Sequence, residues 1–183
     1  GNNMIGSLNL NKNAQRSIGI IKTGRTERIS YGVLNGRKVF FNCSIGFTPF
    51  VLKNRKTNSI AGYFYDTARL LPFYKPSVIK FQGGHDEIDL FAGFFINTKV
   101  YMSKFNFLRN NNSDPEMNFF YIEGGTALSG LSDTLKAFTG IKKYMTIKKK
   151  SFVFVLPDKC DIELDGDVHE LGDGDRTISL ENV

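Results

Sequence analysis

Short runs of aromatic and β-branched residues, interrupted by Gly, Asn, Asp and Pro, are the feature of this sequence that most constrains its fold. The chain contains 17 Phe and 7 Tyr but no Trp among its 183 residues. Such residues suit the half-buried surface of a pleated sheet, and short strands separated by turn residues are typical of sandwiches and barrels. We therefore predict a mainly β (α+β) fold, a sandwich or barrel of antiparallel strands with about two packed helices, formed by residues 1–183 as a single domain.

The best-defined local signal is Asn35-Gly36, which separates the predicted strands Ile29–Leu34 and Lys38–Cys43. Both residues tolerate the positive φ that a two-residue hairpin turn requires, so the sequence predicts a hairpin here. Gly, Asn, Asp and Pro separate the other predicted strands, which are Ile18–Lys22, Val78–Gln82, Ile88–Ile96, Lys104–Leu108, Asn118–Ile122, Tyr144–Lys148, Phe152–Leu156, Asp161–Leu164 and Thr177–Leu180.

Two segments have helical spacing of apolar residues instead of alternation. Asn58 or Ser59 can cap the first helix and Pro72 ends it, while Gly140 can end the second. The side chains predicted to face the sheet are Ile60, Phe64, Ala68 and Leu71 in the first helix, and Leu128, Leu131, Leu135 and Phe138 in the second.

Charge is distributed unevenly along the chain. The net charge is +6, but the residues from Pro157 onward include nine acidic and two basic ones, so this end carries −7 and the rest +13. A basic body predicts an anionic partner, either lipid headgroups or nucleic acid. Nucleic acid is the weaker prediction because no aromatic-plus-basic binding motif accompanies the lysines, which cluster at Lys142, Lys143, Lys148, Lys149 and Lys150. These lysines can equally protect a strand edge from pairing.

Several protein classes do not fit the sequence. The longest apolar run, Leu90–Ile96, is far shorter than the roughly 20 residues of a membrane span. We also see no signal-peptide pattern, and the two cysteines, Cys43 and Cys160, have no metal or disulfide-scaffold spacing. His85 and His169 lack the spacing of zinc ligands, and no Ser/His/Asp arrangement can be built. We expect a cytoplasmic protein whose membrane contact, if any, is peripheral.

The acidic segment Asp161–Asp167 begins like a calcium loop, but the position that requires a closing Glu is Gly172, so an EF-hand is not favoured. Ile162 and Leu164 alternate as one face of a strand that runs into a turn. Two interpretations of this turn remain open: a carboxylate cluster with an acid/base or magnesium-water role, and a solvated acidic turn.

The order of motifs resembles the second, β-rich domain of the diacylglycerol kinase catalytic family, which includes bacterial diacylglycerol kinases and sphingosine kinases. Val39–Phe47 is similar to the family segment FxNxxSxGFD, and Ile162–Asp167 to the late xxDGE motif. Weaker matches join Asn2–Leu10 to the end of GTxND(N)xARSLG, Ser17–Lys22 to the DLGxI strand, and Phe94–Asn97 to the VxNG strand.

The resemblance implies that the fold is a β-sandwich and that the chain is the C-terminal half of a two-domain kinase, which transfers the ATP γ-phosphate to a lipid hydroxyl with the help of Mg²⁺. No GGDGT loop occurs in this sequence, so the α/β nucleotide-binding domain of such a kinase is absent from it and would be the N-terminal partner of this domain, and we expect this chain alone to be inactive. The resemblance assigns the catalytic acid/base role to Asp167, the shaping of its turn to Asp165 and Gly166, and the ATP cleft to Asn2 and Asn3. It also makes Asp114 a candidate for a magnesium-water network.

Three motifs depart from the family pattern. Asp167 stands where the family has Glu, the GGGM glycines are replaced around Tyr101–Lys104, and the DDG motif becomes Asp114-Pro115-Glu116. A shift of about 1 Å in a reacting group can cost about a hundredfold in rate, so the shorter Asp side chain bears directly on activity. The alternative prediction is therefore a non-catalytic, lipid- or partner-binding module.

Overall fold

The computed structural model describes residues 14–24, 26, 31–57, 59–81, 87–96, 100–101, 108–109, 116–138, 145–156, 160–171 and 177–182. Antiparallel strands predominate in this part of the chain, which confirms the predicted fold class. The strands are β1 Gly32–Leu34, β2 Lys38–Phe40, β3 Asn42–Gly46, β4 Ser77–Phe81, β5 Glu87–Ile96, β6 Val100–Tyr101, β7 Leu108–Arg109, β8 Met117–Glu123, β9 Met145–Lys149, β10 Ser151–Val155, β11 Asp161–Leu164, β12 Asp167–Glu170 and β13 Thr177–Asn182.

Eleven strands form one sheet that curls over on itself. Its main path runs β12-β11-β3-β5-β4-β10-β13-β1-β2, β5 also pairs with β8 and β8 with β9, while β6 and β7 form a separate pair. The ends of the path approach each other, because Lys38 Nζ in β2 lies 3.4 Å from His169 Nδ1 in β12. Across the interior, Phe95 of β5 stacks on Phe154 of β10 with ring centroids 5.5 Å apart.

The predicted hairpin at Asn35-Gly36 is confirmed, but its loop has three residues instead of two, because Leu34 pairs with Lys38. Asn35 has φ 50° and Gly36 φ 64°, and the Arg37 amide donates to the Leu34 carbonyl over 3.0 Å. The predicted second strand, however, is two strands, β2 and β3, with a bend at Phe41 between them. The physical reason for this break is a carboxylate that binds the amides at the bend, as described below.

The described residues contain four α-helices, where the sequence predicted about two: α1 Ala14–Lys22, α2 Phe47–Asn54, α3 Ile60–Leu70 and α4 Ala127–Phe138, with a 3₁₀ turn at Leu71–Phe73 after α3. The predicted strand Ile18–Lys22 was wrong, because these residues continue a helix that starts at Ala14. Helix α2 was missed because it contains Pro49. This proline lies in the first turn, where its missing N–H has no partner to lose.

Both faces of the central strands β3, β5 and β8 are buried in apolar clusters. Residues that alternate along β5 divide between them: Phe95 joins the interior cluster with Phe119 and Phe152, whereas Phe94 and Ile96 join a second cluster beneath the helices. Burial on both faces explains why these strands have almost continuous apolar runs. It also means that any polar side chain on either face must find a partner.

The predicted inward face of α3 was wrong in part. Ser59 caps this helix as predicted, since its Oγ accepts from the Gly62 amide over 2.9 Å, and Leu71 is buried. Phe64, however, is 55% exposed, and the fully buried side chain of the helix is Asp66. Asp66 accepts a hydrogen bond from the Lys56 amide over 2.9 Å and forms a salt bridge with Arg69. The hydrogen bond from Lys56 is the main reason why the pKa of Asp66 lies below its ordinary value.

The predicted face of α4 was also wrong in part: Leu131 packs against the cluster beneath the helices as predicted, but Leu128 is 74% exposed and Leu135 is exposed too. The helix instead contacts the sheet through Gly130, where an added Cβ would lie 2.1 Å from the ring of Phe91. A glycine thus permits an approach that an apolar side chain would block. The side chain of Phe138, Gly140 and residues 141–144 lie outside the described residues.

In the part of the chain that the structure describes, no helix has the length and apolar character needed to cross a membrane.

Candidate functional site

The β11–β12 hairpin carries the acidic residues singled out from the sequence. Leu164 pairs with Asp167, and Asp165 and Gly166 form the turn between them with φ values of 52° and 106°. Asp and Gly are residues that adopt positive φ at little cost, which is why Asp-Gly favours a two-residue turn. The hairpin therefore presents Asp167 as the first residue of β12.

The carboxylate of Asp165 fixes this turn to the bend between β2 and β3. It accepts hydrogen bonds from the amides of Phe41, at 3.0 Å, and Asn42, at 2.9 Å. The Asp165 amide donates in turn to the Asn42 carbonyl over 3.0 Å. The Phe41 amide, at the bend, faces this carboxylate and not a neighbouring strand, which accounts for the break after β2.

Glu163 anchors the same turn from the helix-facing side of the sheet. Its side chain is buried and pairs across the strands with Ser44, whose hydroxyl donates to Glu163 Oε2 over 2.5 Å. The Gly166 amide donates to Glu163 Oε1, also over 2.5 Å. Burial is the largest cause of a raised pKa for Glu163, and the nearby Asp165 and Asp167 carboxylates raise it further, although the two hydrogen bonds oppose the shift.

A lysine holds the other end of the hairpin. Lys53 of α2 pairs with Asp161 at 3.0 Å and with Glu170 at 2.6 Å. The hydrogen bond to Glu170 is the largest cause of the raised pKa of Lys53, and the same contact lowers the pKa of Glu170. Both ends of the hairpin are thereby tied to neighbouring elements.

Asp167 is exposed at the start of β12, next to this fixed turn. Within the described residues it forms no salt bridge, so no cation there neutralises its carboxylate. An exposed carboxylate on a rigid support can reach a substrate from solution and accept a proton.

The structure brings together three of the residues selected from the sequence, Asp165, Gly166 and Asp167. Asn2, Asn3 and Asp114 lie outside the described residues, as do Lys142 and Lys143. The described residues include no group of three His, Cys, Asp or Glu side chains that could hold a metal ion.

Sequence reasoning missed the role of Glu163 and the amides at the bend. Glu163 lies between Ile162 and Leu164, which face the interior cluster, so alternation alone predicts that its side chain points outward into solvent. The available signal was the apolar character of the neighbouring strands, which indicates that both faces of the sheet are covered.

No protein-family model matches the chain, and no curated protein matches it at a significant level. Solved structures are similar to it. A putative diacylglycerol kinase from Bacillus anthracis strain Sterne superposes with a TM-score of 0.70 at 16% identity, covering 100% of this chain and 62% of its own. Two further structures from the same strain, one described as a diacylglycerol kinase and one as a putative diacylglycerol kinase, give TM-scores of 0.61 at 12% identity and 0.65 at 14% identity.

This chain is covered completely by those two structures as well, and it spans about 60% of the length of the kinases that it matches. The chain therefore has a fold that resembles the C-terminal domain of diacylglycerol kinases.

Proposed function

We propose that this chain is the β-rich domain of a lipid kinase, whose full-length form transfers the γ-phosphate of ATP to the hydroxyl of a diacylglycerol or sphingoid lipid. The observation that carries the proposal is the exposed Asp167 carboxylate beside a turn fixed by Glu163 and Asp165. The similar fold of diacylglycerol kinases supports it. The acceptor, the ATP site and the N-terminal nucleotide-binding partner domain are part of this proposal.

In the proposed reaction Asp167 is the general base. Its carboxylate takes the proton of the lipid hydroxyl while the hydroxyl oxygen bonds to the γ-phosphorus, and the bond from that phosphorus to the β-phosphate oxygen breaks to release ADP. Asp165 and Gly166 shape the turn. Asn2 and Asn3 would face the nucleotide cleft between the two domains, and without that partner domain the chain has no ATP to use.

Magnesium would neutralise phosphate charge in such a reaction. The described residues do not offer a three-ligand metal site, so we derive no step through the ion from them. Asp114 remains our prediction for a magnesium-water network.

A kinase assay on the full-length protein with mixed lipids tests the proposal. Asp167→Asn keeps the size of the side chain but removes the base, and we expect turnover to fall by about 10² to 10⁴. Asp167→Glu restores the longer side chain of the family motif and should keep or increase turnover. Glu123→Gln, which changes an exposed acid at the end of β8, is the matched control and should leave turnover near that of the wild type. Equal turnover in Asp167→Asn and the wild type would refute the role of Asp167.

A second candidate function, a non-catalytic module that binds lipid or a partner, is favoured by the apolar side chains that the helices expose. Phe73, in the 3₁₀ turn, and Leu128, in α4, are each 74% exposed. The two elements contact each other. Exposed basic residues accompany them, since Lys75 follows the 3₁₀ turn and Lys136 lies in α4. Apolar side chains beside cations suit the surface of an anionic membrane. We include peripheral membrane association of a cytoplasmic protein in this proposal.

Sedimentation with phosphatidylglycerol vesicles tests this second candidate. Phe73→Ser with Leu128→Ser should reduce the bound fraction severalfold if the helices meet the membrane. Val39→Ser is the control, since Val39 is also exposed but lies in β2. Equal binding by all three proteins would contradict membrane contact through the helices, whereas binding without kinase activity in the full-length protein would favour the module.

A further inference from the structure

The burial of Glu163 is not explained by stability. Its side chain is 4% exposed, and no described Lys, Arg or His pairs with it. The titratable groups that act on it or respond to it are Asp165 and Asp167 in the hairpin, Cys43 in β3 and Tyr63 in α3. None of these groups carries a positive charge. A buried carboxylate without a cation costs free energy, and an apolar side chain of similar size would serve the sheet better.

Both oxygens of this carboxylate are instead used to hold the hairpin. Ser44 Oγ donates to Oε2, which fixes the carboxylate on β3, and the Gly166 amide donates to Oε1. Gly166 immediately precedes Asp167 in the turn. The contacts from Ser44 through Glu163 to Gly166 therefore link β3 to the turn that precedes β12.

The Asp165 carboxylate alone does not fix the second half of the turn. Its contacts are with Phe41 and Asn42, at the bend before β3. Glu163 supplies the contact on the Gly166 side, so the two acids hold the two halves of the turn from different directions. Loss of Glu163 would leave the amide of Gly166, an exposed residue, with water in place of its protein acceptor.

We propose that Glu163 is the positioning residue of this site: its carboxylate, held by Ser44, fixes the Gly166 amide and thereby the location of Asp167. Glu163 itself contacts no substrate. The inference deepens the proposed function. Its consequence for catalysis rests on that function, but its consequence for the turn can be measured without any activity.

The hydrogen-bond geometry provides matched variants. In Glu163→Gln the amide oxygen can accept from Gly166 and the amide nitrogen can donate to Ser44 Oγ, so both contacts survive without the charge. Glu163→Leu keeps a similar volume but removes both contacts. Ser44→Ala removes only the support on β3.

Amide hydrogen exchange measured by NMR on the 183-residue chain tests the effect on the turn. We expect the Gly166 amide to exchange at least about tenfold faster in Glu163→Leu than in the wild type, and within about threefold of the wild type in Glu163→Gln. The Gly36 amide, in the other hairpin, is the internal control and should not change. If Glu163→Leu does not fold, Ser44→Ala replaces it, and faster exchange at Gly166 alone supports the proposal. If Gly166 exchanges at the wild-type rate in Glu163→Leu, or in Ser44→Ala where that variant replaces it, the proposal is wrong.

Phosphoryl transfer by the full-length protein tests the effect on catalysis. Misplacement of Asp167 should lower kcat in Glu163→Leu by about ten- to a hundredfold while leaving the KM for ATP unchanged, and Glu163→Gln should recover most of the loss. An inactive wild type would refute the proposed function and leave the exchange result to decide the role of Glu163 in the turn. If the wild type is active and Glu163→Leu has the same kcat, Glu163 does not position Asp167.

Discussion

The two hairpins of this chain use the same turn chemistry but are held in place very differently. Asn35-Gly36 and Asp165-Gly166 both adopt positive φ at both positions. In the first, the short side chain and the glycine are sufficient to reverse the chain. In the second, Asp165 and Glu163 add hydrogen bonds to β3 and to the bend before it. Turn residues thus determine how a hairpin bends, whereas tertiary contacts determine where it lies.

Removing the carboxylate of Asp165 should have the largest effect on this comparison. Asp165→Ala loses the tolerance of positive φ and also the charged acceptor of two amides, and we expect the free energy of unfolding to fall by about 3 kcal/mol. Asn35→Ala loses the tolerance of positive φ at the equivalent position and should cost about 1 kcal/mol. Urea denaturation of both variants measures the difference. Equal losses would show that the contacts of Asp165 add nothing.

The turn glycines provide the next largest effect. A Cβ would meet no atom within 4 Å at either Gly36 or Gly166, so Ala at each site reports backbone strain alone. Gly166 has φ 106°, farther from the left-handed helical region than the φ 64° of Gly36. We expect Gly166→Ala to cost about 2 kcal/mol and Gly36→Ala about 1 kcal/mol in unfolding free energy. The reverse order would contradict this reading of the two turns.

The buried acid gives the second hairpin a dependence on pH that the first lacks. Since the pKa of Glu163 is raised in the folded state, the folded protein binds this proton more tightly than the unfolded chain does. The contribution of Glu163 to stability is thus most favourable below its ordinary pKa of 4.5 and becomes less favourable as pH rises through the raised value.

Glu163→Gln isolates this contribution, because it cannot titrate. We expect the unfolding free energy of the variant relative to the wild type to increase as pH rises above 4.5, until the Glu163 carboxyl is ionised in the folded as well as the unfolded chain. Asp66 and Glu170, with lowered pKa values, contribute in the opposite direction but equally in both proteins. A difference that does not change with pH would show that the Glu163 carboxyl titrates alike in the folded and unfolded chains.

The smallest effect on stability is expected at the residue proposed for chemistry. Asp167 is exposed and forms no salt bridge among the described residues, so Asp167→Asn should change the unfolding free energy by less than about 0.5 kcal/mol. Thermal unfolding of this chain measures that change separately from activity. A loss above about 1 kcal/mol would indicate a structural role for Asp167, and a fall in turnover could then result from unfolding as well as from the loss of the base.

The sequence predicts what is local in this fold. Asn35-Gly36 specifies its hairpin through two residues, and Asp161–Leu164 has the predicted strand bounds because turn residues follow it. Which face of a helix is buried depends instead on distant parts of the chain. Leu128 is exposed because Gly130 makes the close contact with Phe91, and no pattern within the helix reveals a ring that belongs to β5.

The candidate site shows the same limit. Asp165, Gly166 and Asp167 were selected from a motif, but their support comes from Ser44 and from two amides more than a hundred residues earlier in the chain. Glu163 was missed because its importance depends on a helix layer that covers the outer face of β11. Long-range burial of this kind cannot be inferred from alternation in one strand.

The separation between Asp165 and its anchor has a consequence for folding. Phe41 and Asp165 are 124 residues apart, so their hydrogen bond closes a loop that includes most of the sheet. Contacts of such high contact order form slowly, because the entropy of loop closure must be lost before the contact is gained. The β1–β2 hairpin can form while synthesis continues, but the acidic turn can be ordered only after β11 has joined β3. Partly folded chains would then have an intact first hairpin and no site.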